Sequence, residues 1–322
     1  MTRALDEQRS IVRTWLMRGT LHLAAADDLG WLLAALGPAF ASANRARHAQ
    51  LGLDAGLKAR GVAAIRRILD GSGPLTRHEI VDRLRRHDVK LDAKTQAPIH
   101  LIQLAALEGV LCLGPDRDHQ ATYVAVSDWL SDRLKPEGSR EMALKELALR
   151  YFRAYGPATF DDFVAWSGLP VTEARPAMAA ARTDLTEVAL HGESAFLPGS
   201  NLTGLDPRSP PDVKLLPAFD TYLLGYRRRD LAVPSVLQRR LQRGGGWLHP
   251  AVVVNGRAVA AWSLKVTTGI AQITIEPFET IGATIRSGID KEAADVGRFL
   301  GLHSSVAFGS RRRPAPGKTV SS

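Results

Sequence analysis

A single cysteine stands among the 322 residues, so no internal disulfide can form. Cys112 lies in the apolar run Val110-Leu111-Cys112-Leu113, where a small thiol packs as a hydrophobe. No apolar run reaches the roughly 18 residues that a bilayer-spanning helix needs. The opening residues, Met1-Thr2-Arg3-Ala4-Leu5-Asp6-Glu7, lack the apolar core of a secretory signal. Together these absences point to a reducing cytoplasm and to no membrane association. Metal-ligand spacing is missing too: the histidines are scattered and one cysteine cannot complete a zinc site, so no metal is expected. No Gly-x-Gly-x-x-Gly or P-loop occurs, and Gly244-Gly245-Gly246 is not followed by Lys and Ser or Thr. No Ser nucleophile elbow is present, and no cofactor is expected. Aromatic residues make up only 6% and are dispersed, which argues against a stacking platform for single strands.

What the chain has in excess is positive charge: 42 Lys and Arg against 33 Asp and Glu, a net +9. Such an excess suits a polyanionic partner, with double-stranded DNA the first candidate, although Arg-rich coding in a GC-rich genome gives the same bias. Hydrophobic content of 45% and a length sufficient for two or three domains describe an ordinary globular chain, expected as a monomer.

Residues 1–56 form an N-terminal segment. Extended pieces from Ile11 to Leu23 surround Arg18-Gly19, with Leu21 and Leu23 alternating around His22. Asp27 or Asp28 caps a helix through Leu36 that Gly37-Pro38 is expected to stop, and a polar helix through Arg45 and Arg47 follows. Residues 57–130 read as helix, turn, helix, turn, helix and β-hairpin. Val62, Ile65, Ile68 and Leu69 mark the first helix. Thr76 caps the second, with Glu79 three residues on, and the third starts near Thr95. Val110–Leu113 and Thr122–Val126 are the hairpin strands. That order is the winged-helix plan.

The plan recurs in residues 139–198: helix Glu141–Tyr155, a helix capped by Thr159 with Asp162 at its third position, helix Val171–Arg182, and strands Leu185–Leu190 and Ser194–Leu197. Gly73-Pro74-Leu75-Thr76 and Gly156-Pro157-Ala158-Thr159 open the second helix of each copy. After a Pro- and Ser-rich linker, residues 213–308 read as a mixed unit. It comprises strand Val213–Leu216, a helix over Val236–Leu241, a hairpin across Asn255-Gly256, strand Ile270–Ile275 and a closing helix Thr280–Leu300. Residues 309–322, with Arg311-Arg312-Arg313, read as a disordered tail. The fold class is α+β: tandem winged helices followed by a mixed α/β unit resembling a winged helix.

Four stretches carry a more specific likeness. They are Arg13-Thr14-Trp15-Leu16-Met17-Arg18-Gly19-Thr20-Leu21-His22-Leu23, Tyr151 to Thr159, Leu215-Leu216-Pro217-Ala218-Phe219-Asp220-Thr221-Tyr222-Leu223-Leu224-Gly225-Tyr226, and the hairpin Pro250–Trp262. In these the chain resembles the bacterial winged-helix family that contains the AlkZ- and YcaQ-type DNA glycosylases. The resemblance implies three winged-helix elements around a concave DNA channel, a β-hairpin at the lesion, and hydrolysis of the glycosidic bond of alkylated or cross-linked purines. In the glycosylase members a Gln-x-Gln or Gln-x-Asp motif, thought to position the attacking water, precedes the segment resembling Arg13–Leu23. Neither motif occurs anywhere in this chain. Two readings stay open: the chain begins downstream of that motif, or it binds DNA without that chemistry, as a noncatalytic binder or transcriptional regulator.

Several side chains are candidates for the site. Arg13, Arg18 and His22 would line the channel, or Arg18 would pair with Asp27 or Asp28 and His22 would be structural. His22 and Asp220 are the candidates for catalysis, with helix capping the alternative for Asp220. Lys94, Gln96, His100 and Gln103 lie on the third helix of the first copy, which would enter the major groove of DNA or present a solvated face. Arg227, Arg228 and Arg229 would contact phosphates or sit in a solvated turn.

Overall fold

The computed structural model describes residues 3–130, 138–199, 210–242 and 247–309, in two compact units, Met1–Gly199 and Ser200–Ser322. Of the predicted disordered tail 309–322, Gly309 is described, its N–H donating to the Ile275 carbonyl (2.8 Å), whereas 310–322 and the Gly244–Gly246 break lie outside the described residues.

Unit 1 opens with β1 (Ile11–Trp15) and β2 (Leu21–Ala25), an antiparallel pair around a tight turn. Helices α1 (Leu29–Ala43), α2 (Arg45–Gln50) and α3 (Ala55–Leu69) follow. Then come β3 (Leu75–Thr76), α4 (Arg77–Arg85), α5 (Ala97–Leu107), β4 (Leu111–Leu113), β5 (Thr122–Ala125) and α6 (Val126–Leu130). The N-terminal pair is continuous with the later strands in one five-stranded sheet of order β2-β1-β4-β5-β3. Helices α7 (Arg140–Tyr155), α8 (Phe160–Ser167) and α9 (Val171–Ala181) lead to the hairpin β6 (Leu185–Leu190) and β7 (Glu193–Pro198).

Both capping boxes are present. Thr76 accepts from the Glu79 backbone N–H while the Glu79 carboxylate accepts from the Thr76 backbone; Thr159 and Asp162 repeat the exchange. These bonds, with a further contact to Arg117, hold the Glu79 carboxyl at about 2.

Helix α1 departs from expectation, running through Gly37-Pro38 to Ala43. Proline inside a helix costs about 3 kcal/mol. Burial of Leu36, Ala39 and Phe40 offsets this, a fully buried Phe alone contributing roughly 1.5–3 kcal/mol. Gly37 permits the close crossing: a Cβ there would sit 2.5 Å from the Leu107 carbonyl oxygen. Asp28 precedes α1 without a side-chain cap; its carboxylate instead accepts from Trp31 Nε1 (2.9 Å) and Arg150 (2.6 Å). Helix α5 starts at Ala97, two residues after Thr95, whose hydroxyl accepts from the Ala97 N–H. Strand β2 keeps the period-2 alternation, with Leu21 and Leu23 49% and 46% exposed and His22 on the half-buried side.

Unit 2 is one five-stranded sheet of order β12-β11-β10-β9-β8. Its strands are β8 (Val213–Leu216), β9 (Ala251–Val254), β10 (Arg257–Thr267), β11 (Ile270–Pro277) and β12 (His303–Phe308), the last parallel to β11. Short helices α10 (Thr221–Leu224) and α11 (Gln238–Leu241) lie between β8 and β9. Helix α12 (Ala283–Leu300) buries Ile289 and Ala293 in a core with Val213, Val252, Ile273 and Ile275. Residues 303–308 escaped the sequence reading because Ser304, Ser305 and Ala307 blunt the alternation of an edge strand.

Candidate nucleic-acid interface

In unit 1 the resemblance stretches converge on the turn between β1 and β2. Arg18 and Gly19 both take positive φ (56° and 66°). Three neighbours hold the turn. The Arg18 guanidinium donates to the Trp166 carbonyl (2.6 Å), and Gln103 Nε2 donates to the Gly19 carbonyl (3.0 Å). Gly168, which ends α8 at φ 73°, lies so close that a Cβ would sit 2.8 Å from Arg18 Cα. Trp166 is fixed in turn by the ring of Tyr151, 5.0 Å between centroids. Thus the stretch around Tyr151 supports the stretch around Arg18.

His22 follows that turn. Its Nδ1 lies 2.9 Å from the Thr20 carbonyl oxygen, which can only accept, so Nδ1 carries the proton of the neutral ring and Nε2 keeps a lone pair. Burial lowers its pKa, the Thr20 bond opposes this, and the nearby Arg18 charge lowers it further. The ring is therefore a neutral acceptor at neutral pH.

Arg13 pairs with Asp116 (2.6 Å) on the wall of an open cleft of about 380 Å³ that Leu5, Asp6 and Trp129 also line. The residues proposed on the third helix are placed differently from one another. Helix α5 is packed against α1, α3 and the sheet, burying Leu101, Ile102, Leu104 and Ala105. Gln103 is committed to Gly19, and His100 is half-buried with its ring edge-to-face against buried His48, centroids 5.5 Å apart. Gln96 accepts from Arg47 (2.8 Å), while Lys94 is exposed. Of the four, only the two before the helix present side chains outward, a placement that favours a scaffold role for α5 over a reading helix.

In unit 2 the other two stretches interlock. Strand β8 pairs with β9, and Trp262 donates from Nε1 to the Leu216 carbonyl (2.8 Å). The Asn255-Gly256 turn has φ 48° and 81°, as a tight hairpin turn requires. Tyr222 reaches it, its hydroxyl donating to the Gly256 carbonyl (2.7 Å); a Cβ on Gly256 would meet that hydroxyl at 2.9 Å. Asp220 caps α10, Oδ1 accepting from the Tyr222 N–H (2.8 Å), so the capping alternative is the geometry present. The arginine triplet is divided. Arg229 turns inward, Nε donating to the Leu223 carbonyl (2.6 Å), and burial lowers its pKa. Arg227 and Arg228 are exposed, Arg228 lying 3.9 Å from Asp230.

Charge separates the two units sharply. Residues 1–199 hold 25 Lys and Arg against 24 Asp and Glu, whereas residues 200–322 hold 17 against 9, so the second unit carries +8 of the net +9. Sequence reading had also passed over two aromatic side chains, Phe219 and Trp247, exposed in unit 2 and in contact with one another. The signal was thin, since they stand 28 positions apart with no periodicity between them.

No group of three or more His, Cys, Asp or Glu that could hold a metal occurs among the described residues, and no helix among them is long and apolar enough to cross a membrane. Residues 1–299 match the family described as DNA glycosylase AlkZ-like. The interstrand DNA cross-link repair glycosylase of Streptomyces sahachiroi is 29% identical over 313 aligned residues, covering 91% of this chain and 80% of that protein. The solved structure of Streptomyces sahachiroi DNA glycosylase AlkZ superimposes with a TM-score of 0.81 at 25% identity, over 96% of this chain and 84% of that one. On the match of nearly its whole length, the chain belongs to the AlkZ-like DNA glycosylase family.

Proposed function

We propose that this chain binds damaged double-stranded DNA as a monomer and hydrolyses the N-glycosidic bond of an alkylated purine without metal or cofactor. The observation that carries the proposal is the family match over residues 1–299, joined to a second unit of net +8. Two segments of unit 1 support the winged-helix reading. In one, α3, β3, α4 and α5 precede the antiparallel strands β4 and β5, with β3 paired to β5. In the other, α7, α8 and α9 precede β6 and β7, with Ala158 bridging Phe196 in the place of β3. DNA is held here by phosphate contacts from exposed cations such as Arg227 and Arg228.

An N7-alkylated purine is a good leaving group, so the step needs little beyond a positioned water. The water oxygen bonds to C1′ as the bond from C1′ to the base nitrogen breaks, and the water gives up a proton. That proton needs an acceptor beside the water. His22 is the group we assign: neutral, half-buried, with the Nε2 lone pair available. Asp220 is the weaker candidate, because one of its oxygens is committed to capping.

The paired helix-and-hairpin segments of unit 1 support a second reading, a noncatalytic DNA binder or transcriptional regulator. Release of free base from duplex DNA containing N7-methylguanine, measured against spontaneous loss, separates the two. Release above background supports the glycosylase; tight binding that depends on sequence, with no release, supports the regulator.

A further inference from the structure

Phe219 and Trp247 form an aromatic pair on the surface of unit 2, ring centroids 4.9 Å apart and nearly perpendicular. Phe219 is 42% exposed and Trp247 55%, and Trp247 is the exposed one among the six tryptophans, all of which are described. Leaving two large rings in water forgoes burial energy, so such a pair points to a partner. The backbone does not allow the rings to collapse inward. Phe219 sits at φ 57°, a left-handed conformation that a bulky side chain adopts only when its surroundings impose it. Its N–H bonds to the Leu248 carbonyl (3.3 Å), and Leu248 is buried among Leu223, Val233 and Leu241. Because Leu248 points into that core, Trp247 beside it is held outward.

The occupant is set by the surroundings. The unit carries +8 of the chain's net charge, and Arg227 and Arg228 lie exposed eight and nine residues beyond Phe219. Exposed aromatic rings on a unit of net positive charge suit a nucleobase and its phosphates. We infer that Phe219 and Trp247 form a stacking site for an unpaired nucleobase of distorted duplex DNA, such as the base left facing an abasic position. The inference rests on the DNA-binding reading of unit 2 and adds a residue-level contact that recognises distortion rather than sequence.

Its test uses the full chain and two duplexes of one sequence, one fully paired and one bearing a tetrahydrofuran abasic analogue. Stacking on Trp247 quenches its fluorescence when the abasic duplex is added, a change isolated by subtracting the Trp247→Phe variant. Phe219→Gly suits the positive φ, so it removes the ring while relieving the backbone. It should weaken binding of the abasic duplex about 5- to 100-fold while leaving the paired duplex within about twofold. Trp247→Ala should do the same, and Trp247→Phe should keep most of the affinity. Parental binding of the abasic duplex by Phe219→Gly and Trp247→Ala, or no quenching of Trp247, overturns the stacking site while DNA binding stands. Failure of the parent chain to bind either duplex overturns both.

Discussion

At the scale of single residues, roles are decided by what each side chain already satisfies. Asp220 follows a buried strand, and in the structure it caps α10. If capping is its whole contribution, Asp220→Asn retains it and leaves stability and base release near parental, while Asp220→Ala lowers stability by about 1 kcal/mol. Thermal denaturation together with base-release rates distinguishes this from chemistry, in which Asp220→Asn also slows release. His48 offers a pH prediction. It is buried, neither ring nitrogen has a hydrogen-bond partner among the described residues, and burial, Lys58 and His100 all lower its pKa. Burial and Arg47 lower that of His100 as well. Unfolded chains take up these protons near the ordinary value of 6.5, whereas the native state resists them until lower pH. Stability is therefore full above 6.5 and is lost as pH falls below it. Denaturant midpoints should drop between about pH 7.5 and about pH 5.5, and His48→Leu should shrink that drop.

Among the elements, close approaches fix the turn that carries His22. Gly168 combines a positive φ with a virtual Cβ 2.8 Å from Arg18 Cα. Gly168→Ala should cost about 2 kcal/mol in urea unfolding, because strain and a backbone clash add. It should also displace Arg18 from the Trp166 carbonyl; unchanged stability would mean that α8 does not brace the turn. At this scale the sequence was legible where chemistry is local. Thr76 with Glu79, Thr159 with Asp162, and Asn255-Gly256 each announce a structure that needs no distant partner. It was illegible where tertiary packing rules. Gly37-Pro38 reads as a helix stop, yet α1 continues because Leu36, Ala39 and Phe40 are buried. The alternation around His22 marks a strand, but only the folded chain decides that His22 and not Leu21 or Leu23 takes the half-buried side. The outward rings of Phe219 and Trp247 likewise depend on a contact made only in the folded chain.

For the whole molecule, the informative quantity is where charge resides. With +8 on residues 200–322 and +1 on residues 1–199, DNA affinity should be dominated by the second unit and should fall steeply with salt. Removal of Arg227 or Arg228 by Ala substitution should weaken binding similarly across sequences and reduce the slope of log K against log salt by about 1 each. Arg229→Ala should instead lower stability, because that side chain is tied to the Leu223 carbonyl. Fluorescence anisotropy over a salt series reads the slopes, and a flat salt response would remove the electrostatic basis of the account.

The central claim is hydrolysis of a glycosidic bond with His22 as the proton acceptor, and abasic-site formation under single turnover tests it most directly. On duplex DNA bearing N7-methylguanine, the parent chain should form abasic sites faster than spontaneous loss. The rate should be level at neutral pH and fall once pH drops through the lowered pKa of His22, and His22→Ala should slow it by about 100-fold. Tight, salt-sensitive binding of that duplex with abasic sites forming only at the spontaneous rate would contradict the claim and leave a DNA binder without the chemistry.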